Sequence, residues 1–150
     1  MTALAPTIER KTRDSFDRQA LMTTFGATIV HLAPGACTLA APILPIARQQ
    51  HGVGHAGLTF ALGDTAAGYA ALTLMAEEAE VMTVEMKINL MAPARGDRLV
   101  AEGRVIRAGR RITVVTAEVF AETTTAGAAE RELVAILQGT MVPVTARNRT

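Results

Sequence analysis

The sequence predicts an α+β fold, one antiparallel sheet carrying a single buried helix. Three observations lead there. A long apolar stretch from Ala56 to about Ala76 is rich in small residues, as suits a helix packed closely against something else. Four stretches of β character follow it, and two more precede it around Pro34-Gly35. No repeat or linker divides the 150 residues, so residues 1–25 read as an N-terminal helical segment on one domain spanning 26–150.

Residues 7–25 set Ile8, Phe16, Leu21, Met22 and Phe25 among charges, the pattern of an amphipathic surface helix that Gly26 ends. ATIVHLA (27–33) and ACTLAAPI (36–43) flank Pro34-Gly35, where glycine supplies positive φ, and read as a β-hairpin. Pro42 and Pro45 break its second strand, and residues 46–54 form a polar loop. The central helix, at about 56–76, is intrinsically poor, because Gly63 and Gly68 each cost roughly 1 kcal/mol relative to alanine. Close approach of a sheet wrapped around it explains Gly63, Ala66, Ala67, Gly68, Ala70 and Ala71. Glu77, Glu78 and Glu80 mark where the chain leaves the core.

The period then changes. VMTVEMKINLMA (81–92) places Val84, Met86, Ile88 and Leu90 on one face and Thr83, Glu85, Lys87 and Asn89 on the other. Pro93-Ala94-Arg95-Gly96 turns the chain into strands at 98–108 and 111–122, with a turn at Gly109 between them. A loop, TTTAGAA, leads to a last strand at 131–144.

Composition narrows the function. Hydrophobic residues make up 49% and aromatics 3%, with no tryptophan, so alanine, valine, leucine and methionine must fill the core. A net charge of +1 argues against a nucleic-acid partner. Arg95 to Arg98, Arg104 to Arg111, and Arg147 with Arg149 could still meet phosphates locally. The lone Cys37 rules out an internal disulfide and fits a reducing compartment. Leu58–Met75 is long enough to raise a membrane span, but Asp64, its threonines and glycines, and the lack of basic flanks favour a buried helix and no membrane partner. The polar start TIERKTRDSFDRQ has no apolar core of a secretory signal, so the expected location is cytoplasmic.

The most telling stretch is His55-Ala56-Gly57 followed by an apolar run whose only charge is Asp64. A carboxylate inside a helix built for burial is costly unless it has a partner or a task. Gly52, Gly54 and Gly57 punctuate the chain where that helix begins, so open backbone N–H groups gather there. A helix N-terminus and a buried acid together suit attack on a carbonyl. The plainer alternative is an aspartate bonded to backbone or to Thr65. His51 and His55 have the spacing of a metal pair on a helix, but the glycines between them indicate loop and no third ligand follows, so no metal is expected. No Gly-rich phosphate motif and no serine nucleophile elbow occurs.

Taken in order, Gln49-Gln50-His51-Gly52, His55-Ala56-Gly57, Leu62-Gly63-Asp64-Thr65-Ala66, Thr83-Val84-Glu85-Met86, the Pro93–Gly96 turn and Gly139-Thr140 carry a family likeness. Over roughly residues 26–144 the chain resembles the hotdog-fold acyl-CoA thioesterases of the phenylacetate-pathway (PaaI-like) type. The resemblance implies a hotdog fold, a homodimer or dimer of dimers, and active sites at the dimer interface built from both chains. It implies hydrolysis of acyl-CoA to free acid and coenzyme A, with coenzyme A entering only as part of the substrate and no bound cofactor. Asp64 matches the catalytic carboxylate, as general base or nucleophile, and the Ala56 or Gly57 N–H the donor that polarises the thioester carbonyl. Gln49 and Thr83 match assisting residues, although threonine also suits a strand for its propensity alone.

The family often has His-Gly-Gly where this chain has His55-Ala56-Gly57, which leaves open which N–H faces the carbonyl. His55 is a candidate base, or a structural residue that fixes the helix start. Tyr69 lines the acyl pocket or fills the core, and Asn89 is a further substrate-binding candidate. Arg95, Arg107, Arg110 and Arg111 either hold the coenzyme A phosphates or are simply solvated. Two rival functions are a hydroxyacyl thioester dehydratase pairing His55 with Asp64, and a non-catalytic acyl-CoA sensor or carrier.

Overall fold

The computed structural model describes residues 3–145; Arg147 and Arg149 lie outside them. The chain runs α1 (Pro6–Asp17), α2 (Ala20–Thr24), β1 (Thr28–Ala33), β2 (Ala36–Pro42), a short 3-10 turn at Pro45–Ala47, α3 (Ala56–Leu72), β3 (Glu80–Leu90), β4 (Arg98–Ala108), β5 (Thr113–Thr125) and β6 (Ala128–Val144). All six strands form one antiparallel sheet in the order β1-β2-β4-β5-β6-β3. The expected α+β architecture, one sheet around one central helix, is what the chain adopts.

The small residues of α3 do what the sequence requires of them. A β-carbon on Gly103 of β4 would lie 2.3 Å from the Ala66 carbonyl, so helix and sheet meet backbone to backbone. Around that contact Leu39, Leu62, Leu99, Val115, Val119 and Met141 are fully buried. Phe16 of α1 and Met22 of α2 join the same core, so the N-terminal segment covers the sheet domain. No helix among the described residues is long and apolar enough to cross a membrane.

Four local expectations are corrected. The helix read over 7–25 is two, because Gln19 adopts extended backbone (φ −80°, ψ 100°) and sends its side chain to Tyr69. The central helix stops at Leu72 rather than near 76, where Thr73 Oγ1 donates to the Ala70 carbonyl and accepts from the Gly35 N–H. The loop expected at 123–129 is a tight turn on Ala126 and Gly127, both at positive φ, which lengthens β5 and β6 toward each other.

The fourth correction matters most for the site. The simple alternation along β3 fails at a bulge between Thr83 and Glu85. Thr83 pairs with buried Met141 and Met86 with Gly139, so Thr83 joins Met86 and Ile88 on the helix side. Val84 is pushed out and is 59% exposed.

Candidate active site

Asp64 lies two turns into α3, half-buried beside the start of β3. The bulge turns Thr83 inward, and its Oγ1 donates to Asp64 Oδ1 at 2.8 Å. Burial pushes the carboxyl above its ordinary value, and the Thr83 hydroxyl, by bonding the ionised form, opposes that shift. This is an acid whose ionised form is poised rather than locked in an ion pair. A cavity of ≈ 180 Å³ opens beside it, with Ser15, Gln19, Tyr69 and Glu80 among its walls.

Eight residues earlier, α3 begins at His55, whose extended backbone (φ −66°, ψ 143°) makes it the cap. Its Nδ1 accepts from the Gly57 N–H at 2.8 Å, so that nitrogen carries no proton. The Leu58 and Thr59 N–H groups both turn to the His55 carbonyl, at 3.0 and 3.3 Å. Of the first turn, Ala56 alone has an N–H without an acceptor among the described residues. That group points out of the positive end of the helix, where an anionic oxygen is favoured. His55 itself is pinned by its N–H on the Ala47 carbonyl at 2.8 Å, and Gly54 by the Ala94 carbonyl at 2.9 Å.

Gln49 stands beside this helix start. Its Oε1 accepts from the His51 N–H, which leaves the amide Nε2 with no acceptor among the described residues. Gln49, His55 and Ala56 line an open cavity of ≈ 540 Å³ together with Leu90 and Met91. One chain therefore carries two separate clusters of candidate residues. Asp64 and Thr83 form the first, and Gln49, His55, Ala56 and Gly57 the second.

The remaining candidates divide between these places and elsewhere. Tyr69 is buried in the acid cavity, where its hydroxyl accepts from Gln19 Nε2 at 2.8 Å and lies 3.2 Å from Ser15 Oγ. Asn89 faces the other side of the sheet, in a polar groove with Glu85, Lys87 and Gln138, away from both clusters. Arg95 follows Ala94, which bridges to Gly54 in the loop before α3. Arg107, Arg110 and Arg111 sit around the β4–β5 turn, at the end of the sheet where Thr113, Met141 and Thr83 are in register. All four arginines are exposed and make no ion pair among the described residues. No group of three metal-binding side chains gathers among the described residues.

Sequence pattern gives Ser15 and Gln19 no site role and reads Glu80 only as marking where the chain leaves the core. The i, i+4 spacing of Ser15 and Gln19 suggests one helical face, but the helix breaks between them, and with extended backbone at Gln19 both side chains reach Tyr69.

The chain is similar to known proteins in both sequence and fold. The sequence pattern of the thioesterase superfamily matches residues 51–128. A protein of Halobacterium salinarum named as a candidate esterase is 30% identical over 123 residues, 78% of this chain and 80% of that protein. The crystal structure of a thioesterase family protein from Silicibacter pomeroyi superposes with a TM-score of 0.86 at 40% identity, covering 93% of this chain and 99% of that one. A mutant of the phenylacetic acid degradation protein PaaI from Thermus thermophilus superposes with a TM-score of 0.69 at 25% identity, over 81% and 96% of the two chains.

Proposed function

The chain belongs to the thioesterase superfamily, in its PaaI-like hotdog branch, and from that premise we propose that it hydrolyses acyl-CoA thioesters at sites shared between two copies of itself. Asp64 takes a proton from water as the water oxygen adds to the thioester carbonyl carbon. The carbonyl oxygen becomes an oxyanion held by the Ala56 N–H, the first-turn donor that His55 leaves open. The carbon–sulfur bond then breaks, the free acid departs, and the proton goes to the thiolate of coenzyme A. Thr83 orients Asp64, while Gln49 Nε2 is free to bond the carbonyl or the leaving sulfur.

The observation that carries the two-chain reading is the separation of acid and donor along one helix. Eight residues at ~1.5 Å each set the Ala56 N–H about 12 Å from Asp64 along the axis, pointing away from it. A carbonyl bound there lies beyond the helix start and out of reach of the same chain's carboxylate. A second copy must supply the acid. β3 offers the means, since it ends the sheet with a free edge and exposes Met82, Val84 and Leu90 at 58%, 59% and 54%. Antiparallel pairing of two β3 strands about their middle lays the Thr83 end of one beside the Leu90 end of the other, bringing one chain's acid half-site to its partner's donor half-site.

The exposed Arg95, Arg107, Arg110 and Arg111 suit the phosphates of coenzyme A, with Arg95 on the donor side and the other three on the acid side. The test is thiol release from acetyl-, medium-chain, long-chain and aryl-CoA, comparing the wild type with Asp64→Asn after checking that the variant folds and dimerises. A rate that collapses in the variant supports the proposal. No release from any thioester overturns hydrolysis and favours the sensor; equal rates remove Asp64 from the centre of it.

A further inference from the structure

The cavity beside Asp64 has a second, polar end that the hydrolytic chemistry does not use. Gln19 Nε2 donates to Tyr69 Oη at 2.8 Å, Tyr69 Oη and Ser15 Oγ are 3.2 Å apart, and Ser15 Oγ reaches Glu80 Oε2 at 3.5 Å. The carboxylate can only accept, so Ser15 gives its proton to Glu80 and Tyr69 gives its own to Ser15. Every hydroxyl proton in the chain is thereby committed in one direction. Apart from the second amide hydrogen of Gln19, what this end of the cavity still offers is acceptor capacity, concentrated on a negative charge. The nearest cation, Arg18, stands 3.8 Å from Glu80 Oε1, and its own side chain is 67% exposed.

We propose that this cavity receives the acyl group and that Glu80, with Ser15 and Tyr69, selects acyl chains whose far end carries a hydrogen-bond donor such as a hydroxyl, over chains ending in a methyl or a carboxylate. The inference rests on Asp64 as the reacting centre, because Asp64 and Thr83 line the same cavity. Size sets the chain length. At ~30 Å³ per water-sized group, ≈ 180 Å³ holds about six non-hydrogen atoms. Position agrees, since Gly68 and Tyr69 sit one turn or slightly more along α3 from Asp64, about 6 to 7.5 Å. The N-terminal helices are then part of the specificity machinery, because α1 contributes Ser15 and the break before α2 contributes Gln19.

Three nearly isosteric probes test this: ω-hydroxypentanoyl-CoA, hexanoyl-CoA and glutaryl-CoA, compared by kcat/KM. The wild type should prefer the hydroxyl end to the methyl end by about tenfold or more, and rank the carboxylate last. In Glu80→Gln the loss of negative charge should raise glutaryl-CoA by about tenfold relative to hexanoyl-CoA and shrink the hydroxyl advantage. Ser15→Ala, a smaller change on α1, should move the hydroxyl-to-methyl ratio in the same direction. A merely structural role for Glu80 would slow all three probes together and leave their ratios fixed, which overturns the proposal. Equal wild-type rates on the hydroxyl and methyl ends overturn the selector while hydrolysis stands. No turnover of any probe or of the wider acyl-CoA panel removes the hydrolytic reading and the selector with it.

Discussion

Replacing Ala56 by proline removes one hydrogen-bond donor and little else. Ala56 is the first residue of α3, where proline is favoured because the missing N–H has no partner within the helix. The preceding residue, His55, already has the extended backbone (φ −66°, ψ 143°) that a residue before proline requires. The His55–Gly57 cap is untouched. Loss of an oxyanion donor typically costs about 100- to 1000-fold in kcat, roughly 2.7–4 kcal/mol. Proline also restricts the unfolded chain, so the thermal midpoint should hold or rise, by an amount corresponding to about 0.4–1 kcal/mol. Thiol release and a melting curve on the same sample separate the two effects. Full activity in Ala56→Pro would place the donor elsewhere. The decisive extension mixes chains. In a purified heterodimer of Ala56→Pro with Asp64→Asn, two-fold symmetry leaves one site doubly defective and one wholly wild type, so about half the wild-type kcat per dimer should return. A heterodimer as slow as its parents would mean that acid and donor come from the same chain, and the interfacial argument would fall.

The remaining expectations follow from single contacts. On the proposed mechanism Asp64 works ionised, and burial raises its pKa, so kcat/KM should fall as pH drops through a value above that of an ordinary aspartate. Thr83→Val removes the bond that opposes the shift and should move this acid limb to higher pH; an unmoved limb would mean that Thr83 does not tune Asp64. The same raised pKa has a stability consequence. The stabilising contribution of protonated Asp64 is full below its unfolded-state pKa and is lost as pH rises through the folded one, so Asp64→Asn should melt higher than wild type at neutral pH, with the gap closing in acid. A β-carbon on Gly68 meets only Met141 Cε at 3.8 Å and Val81 Cγ1 at 3.9 Å, so Gly68→Ala should gain about 1 kcal/mol of helix stability. Gly103→Ala collides with the Ala66 backbone and should lose about 3 kcal/mol or more by urea denaturation. Cys37 is fully buried with its thiol pushed up to about 12, so a thiol reagent should label it only as fast as the fold opens.

What could be read from the sequence was whatever depends on local pattern. The small residues of α3 and Gly103 fit one another because close approach is written into composition, and Pro34-Gly35 fixes a hairpin by its own dihedral preferences. Asp64 stood out because a lone charge in an apolar helix is costly wherever that helix packs. The parts that escaped depend on distant partners. Nothing near Gln19 marks a helix break; at the break its side chain bonds the Tyr69 hydroxyl, a partner fifty residues away that local pattern does not show. The β3 bulge is equally silent, since Thr83-Val84-Glu85 alternates as well as any regular strand and only the pairing with Met141 and Thr140 reveals the extra residue. That one slip turns Thr83 from the face it shares with Glu85 to the face of Asp64, and it leaves Val84 exposed near the free edge of the sheet. The local bond to the acid and the exposed Val84 near the free edge thus arise from the same irregularity. Removing residue 84 should close the bulge yet leave Thr83 opposite Met141 and facing Asp64, while taking one apolar side chain from the edge; the proposed dimer should weaken with the Thr83–Asp64 bond kept, and an unchanged dimer affinity in sedimentation would refute a part for that edge in pairing.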